Sequence, residues 1–377
     1  MKKILYIGGF CMPDGNAAAQ RVLGMAKLMR ECGCEVRFSG LTRKIKNGSE
    51  NGEIDGFTFV NHAYPASAIK WLKYLTGRDS AIADIKDYNP DIVVLYNHPA
   101  FAIEHIASFC KKHGIKTLAD VTEWYEADGN PVFRVIKGYD SNRRMHRSHL
   151  KLDGLICISS FLSDFYNGKG VRTIEIPPLV DVKQEKWHQA KDPDSEEIRI
   201  IYAGSPGSAK DRLDIIIAAL DKIIPTLNSR VRFDVIGLSA EQYAAKYNDN
   251  GQREYVVFNG RKPHMEVIHK LINADFQIFI RPDNLTNRAG FPTKFVETVT
   301  SRTLPITNLS SNLGQYLKDG INGFAIKGLD NESIIDSVSV PLKMSRNQIN
   351  AMKQNINSDL FDYRNYVASF QQFINSI

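Results

Sequence analysis

The residues whose types and spacing point most directly to chemistry lie in F-P-T-K-F-V-E, residues 291–297. An apolar strand and a polar turn precede this stretch. Pro292 suits the first turn of a helix and Thr293 is a good capping residue, so a helix is expected to begin here. Such a helix end carries partial positive charge and binds phosphate readily. Lys294 and Glu297 stand three residues apart and therefore share one face of this helix.

The charges of Lys294 and Glu297 have two interpretations. One is a surface ion pair worth a few tenths of a kcal/mol. That pair is unfavourably arranged, because a lysine in the first turn opposes the helix dipole and Glu before Lys is the better order. The other is a ligand with an anionic group for Lys294 and hydroxyls for Glu297. We favour the ligand.

A second candidate is the turn G-S-P-G-S-A-K, residues 204–210, which follows the apolar strand I-R-I-I-Y-A. Open α/β sheets bind ligands at the carboxyl ends of their strands, where this turn is expected to lie. A flexible ammonium such as that of Lys210 suits a diphosphate. An exposed loop lysine is the equally open alternative.

Two carboxylates follow another apolar strand in the first half of the chain. Asp120 and Glu123 belong to D-V-T-E-W-Y, residues 120–125, and both are expected at the rim of a sheet. The chemistry of these residues alone favours a helix cap at Asp120 and a solvated Glu123. A catalytic part for either residue rests on the family resemblance described below.

Basic residues stand among apolar ones in two further segments. Ala68 to Arg78 has the composition of a membrane-interfacial helix, but core packing with lysines reaching to water explains it equally well. Arg143 to Lys151 is a basic cluster, and we interpret it as a solvated helix face, with attraction to phosphate or anionic lipid as the alternative.

The elements that must position these residues alternate between strands and helices. Met1 to Gly9, Ala17 to Gly33 and Glu35 to Leu41 predict a βαβ unit, and the same pattern restarts after the polar linker Asp181 to Glu197. The first turn lacks the G-x-G-x-x-G pattern, which disfavours a nicotinamide enzyme. Further strands are predicted at Pro90–Tyr96, Lys116–Val121, Leu152–Ser159, Arg172–Pro177, Val231–Gly237, Val256–Asn259 and Phe276–Arg281, with a helix at Ala100–Gly114.

Composition sets limits on the class of protein. A chain of 377 residues is too long for one ordinary domain and predicts at least two. Its contents of 43% hydrophobic and 24% charged residues are typical of a globular protein. No apolar run approaches a membrane span, and the N-terminal apolar run is too short for a signal peptide. Five scattered cysteines indicate reduced thiols in a cytoplasmic protein, and the histidines show no metal-ligand spacing. The net charge of +6 permits a polyanionic or membrane-surface partner.

Taken in order, several phrases resemble the family 4 retaining glycosyltransferases of the GT-B fold. The phrases are G-G-F with P-D-G-N-A-A-A-Q-R-V-L, then L-D-G-L-I-C-I-S-S-F-L, I-P-P-L-V-D, Y-A-G-S-P-G-S-A-K-D, F-P-T-K-F-V-E and K-D-G-I-N-G-F. The resemblance implies two Rossmann-like doubly wound α/β domains facing across a cleft. We expect an acceptor domain at residues 1–183, a donor domain at 184–359, and a C-terminal helix at 360–377 that packs back on the first domain.

The resemblance also implies roles for individual residues. Glu297 would accept from the nucleotide ribose hydroxyls, and Lys210 and Lys294 would hold the diphosphate. The full donor-binding set is Gly15, Asn16, Gly204, Ser205, Lys210, Arg281, Thr293, Lys294 and Glu297, and the catalytic set is Lys210, Asp120 and Glu123. Four positions depart from the family pattern: Ala289 replaces a sugar-facing Glu, Ser205 a basic residue, Arg302 a common Gly, and the Asp120–Glu123 segment a catalytic-region His.

The implied activity is transfer of a sugar from a nucleoside diphosphate donor to an acceptor hydroxyl with retention, in bacterial surface polysaccharide or glycolipid assembly. The departing phosphate oxygen would take the acceptor proton, so no side-chain nucleophile is expected. No metal and no cofactor are expected either. The expected partners are the nucleotide sugar and a glycan or lipid-linked acceptor, with peripheral contact to the inner membrane surface and no nucleic acid. A sugar-nucleotide epimerase of the same fold and an inactive nucleotide-sugar-binding subunit remain open as alternatives.

Overall fold

The structure is a computed structural model that describes residues 1–13, 16–126, 130–192, 195–204, 206 and 211–377. The chain divides into two compact units. Unit 1 comprises Met1–Val180, Ala289–Phe291 and Asp362–Ile377, and unit 2 comprises Asp181–Arg288 and Pro292–Phe361.

Unit 1 is built around an eight-stranded sheet in the order β3-β4-β2-β1-β5-β6-β7-β8. Its strands are β1 (Lys3–Gly8), β2 (Glu35–Thr42), β3 (Ser49–Ile54), β4 (Phe57–Ala63), β5 (Ile92–Tyr96), β6 (Lys116–Val121), β7 (Gly154–Cys157) and β8 (Thr173–Glu175). Its helices are α1 (Ala17–Glu31), α2 (Ala68–Leu75), α3 (Ala81–Tyr88), α4 (Ala100–Lys112), α5 (Pro131–Arg143) and α6 (Ser160–Asn167). All neighbouring strands pair in parallel except β3 and β4.

The antiparallel hairpin of β3 and β4 is an element that the sequence patterns did not predict. Ile54 pairs with Phe57, which leaves a two-residue turn of Asp55 and Gly56. Both turn residues have positive φ, 51° and 79°. Asp-Gly is a favoured pair for this mirror-image turn, whose twist matches that of the strands. The hairpin adds an edge to a sheet that is otherwise parallel.

Unit 2 contains a six-stranded parallel sheet in the order β11-β10-β9-β12-β13-β14. Its strands are β9 (Ile198–Ala203), β10 (Val231–Ile236), β11 (Val256–Gly260), β12 (Phe276–Phe279), β13 (Leu304–Asn308) and β14 (Phe324–Ile326). The helices between Leu213 and Gln354 are α7 (Leu213–Ile223), α8 (Ala240–Tyr247), α9 (His264–Asn273), α10 (Leu285–Ala289), α11 (Thr293–Thr300), α12 (Asn331–Leu342) and α13 (Arg346–Gln354).

The end of the chain returns to unit 1. A 3-10 turn at Tyr363–Tyr366 leads into α14 (Val367–Asn375). Phe370, Phe373 and Ile374 are buried in the hydrophobic core that also contains the apolar face of α1. Burial of these side chains explains why the tail has aromatic residues at helical spacing. The predicted return of the C-terminal helix to the first domain is therefore confirmed.

The predicted fold class of two Rossmann-like α/β units is confirmed, with strand and helix ends displaced by only a few residues. The first strand runs from Lys3 to Gly8, for example, and the strand predicted at Lys116–Val121 has those bounds. In the described part of the chain, no helix combines the length and the apolar character needed to cross a membrane.

Candidate functional site

The helix predicted after the polar turn is α11, and its N-terminus lies beside the carboxyl end of β12. Pro292 is the N-cap residue with extended backbone, and its carbonyl accepts from the Phe295 N–H at 2.9 Å. Thr293 is exposed and is the first helical residue, so its expected capping part is wrong. The first N–H groups of a helix lack partners within it, which makes this end suited to an anion.

Lys294 points to the first turn of unit 2. Its Nζ lies 2.7 Å from Oδ2 of Asp211, and its side chain is 14% exposed. The ammonium also lies over the aromatic rings of Tyr202 and Phe279, at 4.4 and 5.4 Å from their centroids. Burial lowers the Lys294 pKa and outweighs the opposing effect of Asp211. A further anion would offset this burial of charge.

Gly204 leaves room for the Lys294 ammonium. A Cβ at this position would lie 3.0 Å from Nζ of Lys294, and the backbone φ of Gly204 is +147°, which other residues rarely adopt. The Gly204 N–H donates to the Ile236 carbonyl at 3.0 Å, which fixes this backbone at the end of β9. The fold thus brings Gly204, at the end of β9, beside the lysine of α11.

Glu297 and Arg281 lie in the same unit with different surroundings. Oε1 of Glu297 is 3.0 Å from Nε2 of His264, and both side chains are partly exposed. Arg281 is buried, and its backbone exchanges two hydrogen bonds with the side chain of Asn308, at 2.9 and 2.8 Å. Burial lowers the Lys294 pKa, and the positive charge of Arg281 adds to that effect.

Asp120 occupies a closed position in unit 1. Its two carboxylate oxygens accept from Nη2 and Nε of Arg21 at 2.9 and 3.2 Å, and the Tyr6 hydroxyl donates to Oδ2 at 2.6 Å. The residue is only 1% exposed. This arrangement gives the carboxylate a structural task, and neither the expected helix cap nor direct contact with a substrate fits it.

Glu123 and Asn16 are more accessible. Glu123 is partly exposed and hydrogen-bonds with the Tyr125 hydroxyl, whose pKa is raised by burial and then by the charge of Glu123. Asn16 is exposed and caps α1, its Oδ1 accepting from the Ala19 N–H at 3.0 Å. Gly15, Ser205 and Lys210 lie outside the described residues.

Comparison with known families finds a similarity within unit 2. Residues 183–359 match the model of a family described as "Glycosyl transferases group 1". The matched residues cover most of unit 2 and include Gly204, Arg281, Thr293, Lys294 and Glu297.

Solved structures of glycosyltransferases are similar over the whole chain. Sucrose-phosphate synthase (tll1590) from Thermosynechococcus elongatus has a TM-score of 0.73 at 11% identity, covering 100% of this chain and 98% of that one. The lipopolysaccharide outer core galactosyltransferase WaaB has a TM-score of 0.65 at 15% identity, covering 99% of both chains. Anabaena HepE, in complex with UDP and glucose, has a TM-score of 0.68 at 12% identity, covering 100% of both.

At these identities the similarity establishes the GT-B fold. No match is found among curated protein sequences. Within the described ranges, no group of three or more His, Cys, Asp or Glu side chains comes together as a metal site requires. The expectation of a metal-independent glycosyltransferase remains a prediction.

Sequence reasoning missed two residues of unit 2 that contact predicted ones. Asp211 pairs with Lys294, and His264 pairs with Glu297. Asp211 directly follows the predicted Lys210, so its place in the same turn was the available signal. His264 lies 33 residues from Glu297. No local pattern connects those two.

Proposed function

We propose that this chain moves a hexosyl group from a nucleoside diphosphate sugar to an acceptor hydroxyl with retention of configuration. The observation that carries the proposal is the position of Lys294. Its ammonium is held between the glycine turn at Gly204 and the first turn of α11, and Glu297 follows one helical turn later. One anion-binding group and one hydroxyl acceptor are thereby placed at the same end of a parallel sheet.

In the proposed complex the diphosphate accepts from Lys294 and from the N–H groups at the start of α11. Asp211 holds the ammonium until the donor arrives, and the anionic donor then offsets the cost of keeping Lys294 charged and buried. Glu297 accepts from the ribose hydroxyls, and Arg281 adds positive charge nearby. Lys210 keeps its proposed part in holding the diphosphate.

The reaction breaks the bond between the anomeric carbon and the donor phosphate oxygen and forms a bond from that carbon to the acceptor oxygen. The acceptor proton passes to the departing diphosphate, which leaves as the free nucleotide. Stabilisation of the departing charge by Lys294 and the helix end is an electrostatic contribution. We propose no cofactor and no metal for this step.

Within unit 1 we propose different tasks for the two predicted carboxylates. Asp120 positions Arg21, since both of its oxygens are engaged in a buried network. Glu123 is partly exposed and keeps its proposed place among the catalytic residues. Asn16 and Gly15 keep their proposed contact with the donor.

The biological setting is proposed as cytoplasmic assembly of bacterial surface polysaccharide or glycolipid, with a glycan or lipid-linked acceptor. The named activity of WaaB, a lipopolysaccharide galactosyltransferase, supports this setting by analogy of fold. The UDP bound by HepE supports UDP as the first donor nucleotide to test.

We also propose contact between unit 1 and an anionic membrane surface. None of the residues of α2 is fully buried, although the Tyr74 ring packs 5.9 Å from the His98 ring. Ile69 and Leu72 on α2, and Val135 and Ile136 on α5, are between 59% and 72% exposed. On α2 the exposed Lys70 and Lys73 alternate with Ile69 and Leu72, which is the pattern of an interfacial helix.

The protein is expected to sediment with phosphatidylglycerol vesicles and not with phosphatidylcholine vesicles. Leu72→Glu should abolish this sedimentation. Equal sedimentation with both lipids would contradict the charge dependence.

The activity is tested by incubating the protein with a panel of nucleotide sugars, with and without candidate acceptors, and measuring free nucleoside diphosphate. Lys294→Met and Glu297→Gln should lose donor-dependent activity. The exposed Lys222 and Glu332 give the matched controls Lys222→Met and Glu332→Gln, which should retain it. Unchanged activity in both site variants would refute the proposed donor site.

The same assay separates the alternatives. An epimerase would convert the donor sugar without releasing nucleotide when an acceptor is added. An inactive subunit would bind UDP in calorimetry and turn over no donor. The fully buried Ala289, at the position of the family's sugar-facing Glu, is the observation that favours this second alternative.

A further inference from the structure

Unit 1 contains a group of buried polar atoms that the proposed function does not use. Arg144 is 4% exposed, and its Nε and Nη2 have no hydrogen-bond partner among the described residues. His98 is 3% exposed, and its Nδ1 also has none within those residues. Burying a charged group without partners costs several kcal/mol, so such groups in a folded protein call for an explanation.

These groups lie at the carboxyl edge of the unit 1 sheet. His98 follows β5 and Tyr125 follows β6 by a few residues. The ring of Tyr74 is 5.9 Å from the His98 ring, and a Cβ on Gly9, just after β1, would lie 3.9 Å from the Tyr74 hydroxyl. The Arg144 guanidinium lies 5.4 Å from the Tyr125 ring centroid. Three strand ends therefore converge on one place, which is where α/β sheets bind ligands.

Arg144 is the cation at this place, and the carboxylates of Asp79, Asp140 and Glu123 act on the neighbouring Tyr74 and Tyr125. Burial lowers the His98 pKa, Asp79 and a hydrogen bond with the Tyr96 backbone oppose that effect, and Arg144 adds to it, so His98 is neutral near pH 7. Arg144 stays charged. Asp79 does not neutralise the guanidinium by a hydrogen bond, and its Oδ1 accepts from the Ala81 N–H at 3.3 Å. The solvated-face interpretation of the Arg143–Lys151 cluster is wrong for Arg144.

We propose that Arg144 and His98 bind an anionic group of the acceptor, a phosphate or carboxylate carried by its sugar. The inference rests on the proposed function, because it names the acceptor class of the same enzyme. A guanidinium presents a planar fork of donors that matches both anions. The neutral His98 imidazole has one N–H, and it donates to the anion in the tautomer that carries the proton on Nδ1. Stacking on the Tyr125 ring would orient the Arg144 guanidinium and leave its N–H groups to donate to the anion.

The proposal is tested by binding of three monosaccharides to the full chain, followed as shifts in melting temperature with saturating UDP present. Glucose 6-phosphate and glucuronate represent the two anions, and glucose is the neutral probe. At least one acidic sugar should bind and glucose should not. Arg144→Met should weaken that binding by at least about tenfold, as expected for lost charge-assisted hydrogen bonds. His98→Asn should weaken it less.

Arg143→Lys is the matched control, because the Arg143 guanidinium is engaged with both oxygens of Glu104 at 2.9 and 3.0 Å. It should keep the binding of acidic sugars. Arg144→Lys keeps the charge but not the fork, so partial binding in this variant distinguishes recognition from a structural part. If Arg144→Met does not fold, Arg144→Lys and His98→Asn carry the test.

Two results would overturn the proposal: no shift with either acidic sugar, or an acidic-sugar shift that is unchanged in Arg144→Lys and His98→Asn. Preference for glucose 6-phosphate over glucuronate would identify phosphate as the group recognised, and the reverse would identify carboxylate. Failure of the proposed function would appear separately, as the absence of UDP binding in the wild-type protein.

Discussion

Each unit contains a buried cation, an aspartate and a tyrosine in contact near the carboxyl end of its sheet. The unit 1 triad is Arg21, Asp120 and Tyr6, and the unit 2 triad is Lys294, Asp211 and Tyr202. In both, the cation lies within 3 Å of the carboxylate, at 2.9 and 2.7 Å. In both, the tyrosine hydroxyl donates to the same carboxylate, at 2.6 and 2.8 Å. The tyrosines stand in the first strand of each sheet domain, β1 and β9.

The two triads differ in how fully their polar atoms are engaged. Nη1 of Arg21 also donates to the carbonyls of Ile176 and Pro177, at 2.8 and 2.6 Å. Although burial acts to lower it, the Arg21 pKa is raised by Asp120. In the unit 2 triad, burial outweighs Asp211 and lowers the Lys294 pKa, and Oδ1 of Asp211 has no partner among the described residues. The unit 1 triad is complete as a structural element, whereas the unit 2 triad can exchange a partner for a ligand.

The largest expected effect separates the two aspartates. Asp120→Asn should reduce the free energy of unfolding by about 3–5 kcal/mol, because Arg21 keeps its charge in a closed environment. Asp211→Asn should cost only about 1–2 kcal/mol, since Lys294 can lose its proton or move toward solvent. Urea unfolding of both variants measures the difference. Equal losses would mean that the two triads are the same kind of structural pair.

The next effect concerns nucleotide binding. Lys294→Met should weaken UDP binding by about tenfold or more, the usual consequence of losing a charged hydrogen-bond donor. Arg21→Lys should leave UDP binding unchanged while lowering stability, because Lys cannot make the forked contacts of Arg21. Calorimetric titration with UDP, combined with urea unfolding, gives both quantities. Weaker UDP binding in Arg21→Lys than in Lys294→Met would reverse the assignment of the triads.

The contrast between the triads also explains what the sequence could predict. The strand, turn and helix around Lys294 and Glu297 follow from local residue types, and the electrostatically unfavourable order of the two charges pointed to a ligand. The partners are distant in sequence: Asp211 is 83 residues from Lys294, and Arg21 is 99 residues from Asp120. The sequence around a carboxylate at a strand end is the same whether the side chain is exposed or buried. The burial of Asp120 therefore could not be predicted.

Unit 1 illustrates the same limit at a basic cluster. Arg143 and Arg144 are neighbours in sequence, yet Arg143 pairs with Glu104 and Arg144 is buried beside Tyr125. The π-helix that begins at Arg144 changes the direction in which successive side chains point. Helical periodicity cannot anticipate such a change, and the cluster was therefore interpreted as a uniform solvated face.

A smaller effect is the pH dependence of UDP binding. The diphosphate requires charged Lys294, so affinity is present below the Lys294 pKa and is lost as pH rises through it. Because burial lowers that pKa, the loss should begin at lower pH than for an exposed lysine. Asp211→Asn removes a charge that raises the pKa and should move the loss to still lower pH. Titrations between about pH 7 and 10 measure this shift, since an ordinary lysine has a pKa of about 10.4. Lys294→Arg should give a flat profile, and a falling profile in that variant would assign the titration to another group.

The smallest effect is expected for the two tyrosines. Tyr6→Phe should cost about 1 kcal/mol of stability, because Asp120 loses one hydrogen bond where water cannot replace it. Tyr202→Phe should cost less, roughly 0.5 kcal/mol, and should change UDP affinity about twofold, because Asp211 already has an unsatisfied oxygen and its remaining contact is with Lys294. Urea unfolding and UDP titration of both variants resolve these values. The Tyr6 hydroxyl contacts the Asp120 carboxylate, which Arg21 already holds, so its loss should not affect UDP binding. Altered UDP affinity in Tyr6→Phe would contradict the structural assignment of the unit 1 triad.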